Sequence, residues 1–100
     1  MDNTLIQASD VQSLPALFRA RLNKTADEMA YRQFDVASQK WTQASWYEMS
    51  NEIARWQGAF QKDGLRSGDK VEIMVKNSRE WVVFDQAALG LGLVTVPLYV

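Results

Sequence analysis

The sequence predicts an α/β unit in which a β-hairpin precedes a right-handed βαβ crossover, with helices packed on a small, partly parallel sheet. Three observations carry this expectation. Residues 70–76 and 94–99 are short runs rich in β-branched side chains. The stretch between them is apolar at helical spacing, the element order that joins two parallel strands through a crossover of nearly invariant hand. Ahead of both, residues 29–43 alternate in character around a polar connection, as two antiparallel arms do.

Met1 to Gln12 read as a loose leader. Ser13-Leu14-Pro15 then opens a helix: the serine caps it, proline is tolerated in the first turn, and Leu14, Leu17, Phe18 and Leu22 form its apolar stripe until it ends near Lys24. Met29 to Val36 form the first hairpin arm, Ala37 to Lys40 the connection, and Trp41-Thr42-Gln43 a short second arm. Ser45 and Glu48 make a capping box that opens the longest helix, Ser45 to Asp63. Trp46, Met49, Ile53, Trp56 and Phe60 share its buried stripe, while Glu48, Asn51, Glu52 and Arg55 face solvent. Gly64 is placed to stop that helix in the left-handed conformation. Arg66-Ser67-Gly68-Asp69 is a turn into the strand ending at Lys76, where Val71, Ile73 and Val75 share a face. Asn77 then caps a helix to Leu91, with Glu80 in its first turn, and Val94 to Tyr99 form the last strand.

Composition limits the possible functions. A chain of 100 residues with 47% hydrophobic content supports one small core, and no linker or repeat suggests a domain boundary inside residues 1–100. Eleven basic against twelve acidic residues leave a net charge of -1, which argues against nucleic acid as a partner. Without cysteine or histidine there is no disulfide, no thiolate nucleophile, no ordinary zinc site and no Ser-His or Cys-His pair. The start has an acidic residue at position 2 and no apolar run, so a cytoplasmic location is expected, and the sequon Asn23-Lys24-Thr25 carries no weight. Trp81 to Val100 is long enough to cross a membrane. Asp85, Gly90, Gly92 and Pro97 break it into helix, turn and strand, so no transmembrane span is expected.

The candidate chemical motifs dissolve on inspection. Gly64 to Lys70 has a phosphate loop's ingredients in the wrong order, since it joins a helix to a strand and Asp69 precedes the lysine. Gly90-x-Gly92 lacks a third glycine at Thr95 and reads as a place of close helix-to-strand packing. Glu48 and Glu52 stand one turn apart without a metal-ligand set, which reads as a solvated helix face. Of the aromatic residues, Trp46 and Trp56 fall on the buried stripe, whereas Trp41 could face either way.

From Trp41 onward the order and spacing of short motifs resemble the adenylate-forming, AMP-binding superfamily of acyl-CoA synthetases and adenylation domains. The motifs are Trp41-Thr42-x-x-Ser45-Trp46-x-Glu48, Ile53-Ala54, Gly64-Leu65-x-x-Gly68-Asp69-Lys70-Val71-x-Ile73, Asn77-x-x-Glu80-Trp81 and Asp85-x-Ala87-Ala88-Leu89-x-x-Gly92-x-Val94-Thr95-Val96-Pro97-Leu98-Tyr99. Glu80-Trp81, the ending Val96-Pro97-Leu98-Tyr99 and the opening Ser13-Leu14-Pro15-x-Leu17-Phe18 look most like its long-chain fatty-acid-CoA ligases. The resemblance implies that residues 1–100 open the large amino-terminal domain of such a ligase, and that the remainder of the enzyme lies beyond them. It also implies a parent that uses ATP, magnesium, CoA and a fatty acid, with peripheral membrane association possible for that parent. The family's phosphate loop, magnesium-binding glutamate and catalytic lysine have no counterpart here, so no catalytic, cofactor-binding or metal residue is assigned and the segment alone is expected to be inactive. Glu72 departs from the pattern, since a small apolar residue is usual there, and a charge limits the burial of that strand face.

Two rival readings stay open: a stand-alone interaction domain binding through its sheet edge, and an adenylating enzyme with a carrier-protein acceptor. A chain that closes on an apolar strand without a covering helix is expected to be part of something longer, and to self-associate when isolated. Sedimentation of residues 1–100 tests this: concentration-dependent mass is expected, and a clean monomer at high concentration removes the expectation.

Overall fold

A computed structural model describes residues 5–76 and 78–98. The chain divides into two compact units, Met1–Met49 and Ser50–Val100. Its strands fall into two two-stranded sheets, one antiparallel and one parallel.

In the first unit a short 3-10 turn at Ala8–Asp10 precedes α1, Leu14–Thr25. Serine at position 13 caps α1 by accepting from the Ala16 amide at 3.1 Å, and Pro15 lies in the first turn, where its missing N–H costs nothing. The hairpin pairs β1, Met29–Asp35, with β2, Lys40–Ser45, with Phe34 opposite Trp41 and Asp35 opposite Lys40. Its second arm is longer than the sequence predicts, because Asp35 tightens the turn. One carboxylate oxygen accepts from the Ala37 amide at 3.2 Å and the other from the Ser38 hydroxyl at 2.7 Å, leaving Lys40 free to pair.

The helix α2, Trp46–Lys62, starts at the end of β2. Ser45 Oγ accepts from the Glu48 amide at 3.1 Å and the Glu48 carboxylate accepts from the Ser45 amide at 3.0 Å, the reciprocal box expected from sequence. The amides of Trp46 and Tyr47 donate to the carbonyls of Glu28 and Ala26, so the first turn of α2 is satisfied by the loop after α1. Phe18 of α1 meets Trp46 edge to face at 5.4 Å.

The second unit holds the rest of α2, then β3, Lys70–Ile73, α3, Arg79–Gly90, and β4, Val94–Pro97. Gly64 ends α2 at φ +82, with its own amide on the Gln61 carbonyl and that of Leu65 on Phe60. The strands β3 and β4 are parallel, Lys70 facing Val94 and Ile73 facing Pro97, as the crossover requires. Val83, Ala87 and Ala88 of α3 are buried, as are Ile53 and Phe60 of α2, Ile73 of β3 and Leu93. Trp56, Phe60 and Phe84 form a three-ring cluster with centroids 5.2 to 5.8 Å apart.

Several sequence expectations need correction. The strand β3 ends at Ile73, not Lys76: its last ladder bond is the Leu98 amide donating to the Ile73 carbonyl at 2.8 Å, and Met74 and Val75 beyond it are exposed. Asn77, Tyr99 and Val100 lie outside the described residues, and the cap of α3 is Ser78, whose hydroxyl accepts from the Trp81 amide at 3.3 Å. Trp56 is 45% exposed, because its ring lies at the rim of the cluster, and Trp46, Phe84 and Leu89 are only half-buried. Met49, at 1% exposure, replaces Trp56 as the best-buried large side chain of α2.

This ordering has a measurable consequence. The sequence pattern alone would assign Trp56→Ala a core cost of about 3–5 kcal/mol; with Trp56 45% exposed its cost is expected to fall below that of Met49→Ala, about 2–5 kcal/mol. Urea denaturation of the two variants ranks them; a larger loss for Trp56→Ala contradicts the assigned burial.

Candidate functional site

Side chains of α2 and α3 border a shallow open depression. Glu52, Arg55 and Trp56 of α2 and Glu80 and Val83 of α3 line it. Beside it Arg79 grips Glu52 through both carboxylate oxygens: Nε donates to Oε2 at 3.2 Å and Nη2 donates to Oε1. Both side chains are about three-quarters covered, which favours the fork geometry of a guanidinium over a solvated pair.

The sequence reading therefore placed Glu52 wrongly. Glu48 is exposed and caps the helix as expected, but Glu52 does not face solvent as Glu48 does, because Arg79 holds it. The partner lies 27 residues away on another helix, a distance that no helical periodicity reports. A second unforeseen contact fixes the same two helices: Gln57 Nε2 donates to the Ala87 carbonyl at 3.2 Å. A methyl group at Gly90 would stand 2.5 Å from that nitrogen, so the glycine makes room for a helix-to-helix contact, not a helix-to-strand one.

The loop at 66–69 is a closed turn. The Arg66 amide donates to Asp69 Oδ2 at 2.8 Å, the Asp69 amide to the Arg66 carbonyl at 2.9 Å, and the Gly68 amide to the Gly92 carbonyl at 2.8 Å. These donors are committed, and an inward carboxylate stands where an anion would have to sit, so the turn does not fit a triphosphate. Gly92 adopts φ +74 opposite it and tethers the end of α3 to the start of β3. Among the described residues no group of three or more acidic side chains could hold a metal ion, and no helix is long and apolar enough to cross a membrane. Trp41, undecided from sequence, is 58% exposed on the hairpin.

The described residues thus form a hairpin, a long capped helix and a parallel βαβ unit. The family model described as AMP-binding enzyme matches residues 18–100, and the chain belongs to that family. Within it, the chain is 36% identical over 59 residues to the long-chain-fatty-acid–CoA ligase FadD15 of Mycobacterium bovis, covering 59% of this chain and 10% of the relative. The FadD15 ligase of Mycobacterium tuberculosis matches equally, at 36% over 59 residues. Among solved structures, the N-terminal subdomain of Klebsiella oxytoca NpsA superposes with a TM-score of 0.76 at 25% identity, over 89% of this chain and 22% of that one. The fatty acid AMP ligase of Legionella pneumophila shares the fold, with a TM-score of 0.81 at 16% identity over 91% of this chain and 16% of that one. The chain thus spans about a tenth of the length of the curated relatives it matches.

The ion pair offers a test of how α2 and α3 are held. A double-mutant cycle of Glu52→Gln and Arg79→Gln is expected to give a coupling of about 1 kcal/mol, as a well-aligned, partly covered pair does. In about 1 M salt, where the screening length falls to about 3 Å, part of that coupling is expected to vanish. Zero coupling at low salt would mean that the pair does not form in solution.

Proposed function

We propose that these residues form the opening scaffold of a long-chain fatty-acid-CoA ligase. In that reaction class the fatty acid carboxylate attacks the α-phosphate of ATP, pyrophosphate leaves, and the thiol of CoA then displaces AMP from the acyl-adenylate. The observation that carries the reading is the 36% identity over 59 residues to a ligase of that name, within a chain whose family match runs from residue 18 to residue 100. On this reading ATP, magnesium, CoA and fatty acid are ligands of the longer polypeptide, which is cytoplasmic, where ATP and CoA are at hand.

The contribution of residues 1–100 is positional. They set the first parallel strand pair and the helices that cover it, and leave nucleotide contacts to residues outside this stretch. The committed amides of the 66–69 turn support that division.

A second reading keeps the adenylate and changes the acceptor. It is favoured by the likeness to NpsA, one structure of which is an artificially fused adenylation–PCP di-domain that covers 86% of this chain with a TM-score of 0.74 at 26% identity. A carrier-protein thiol would then replace CoA.

Two measurements test the proposal. Calorimetry of residues 1–100 with MgATP is expected to show no saturable heat, and tight binding would move the nucleotide site into this segment. A longer polypeptide that begins with this sequence is expected to release pyrophosphate when given a long-chain fatty acid and to form acyl-CoA. Inertness toward every fatty acid, or transfer to a carrier protein alone, defeats the substrate or the acceptor respectively.

A further inference from the structure

We draw no further inference here: the strongest candidate, the shallow depression bordered by Glu52, Arg55 and Trp56 of α2 and Glu80 and Val83 of α3, lies open in a stretch that spans about a tenth of the length of its curated relatives, and nothing in the structure shows what covers it.

Discussion

Parallel pairing of β3 with β4 constrains more of the second unit than any other feature. Two parallel strands cannot be joined by a tight turn, so the chain leaving Ile73 must return to the far end before Val94 can pair with Lys70. The helix α3 makes that return, and burying Val83, Ala87 and Ala88 is what makes the return favourable. The same geometry brings Gly92 beside the 66–69 turn, where a carbonyl on one side meets an amide on the other. Once α3 is fixed, Gln57, Glu52 and the Trp56-Phe60-Phe84 rings have a surface to meet, and α2 takes its place.

Three carboxylates of the chain are engaged in closing or joining its elements. Carboxylates that might have suggested acid-base chemistry have specific structural partners: Glu48 closes a helix end, Glu52 joins two helices and Asp69 closes a turn. On one face of the hairpin, Arg32, Phe34 and Trp41 have their geometry fixed by one another and are exposed.

Local sequence determined most elements of this protein. The Ser13 cap with Pro15, the Ser45–Glu48 box, Gly64 at the end of α2 and the hairpin alternation each depend on residues within a few positions of one another, so their physics is complete in a short window. The order of strand, helix and strand likewise dictated parallel pairing, and the motif series from Trp41 onward pointed to the family to which the chain belongs. Tertiary structure alone decided what depends on distant partners. That Trp56 of the apolar stripe stays 45% exposed while Met49 is buried was set by where the ring cluster ends. Whether Glu52 meets water or Arg79, and whether Trp41 faces in or out, were decided by side chains brought together only after folding, because hydrophobic period and charge spacing describe one element at a time and carry no information about its neighbour.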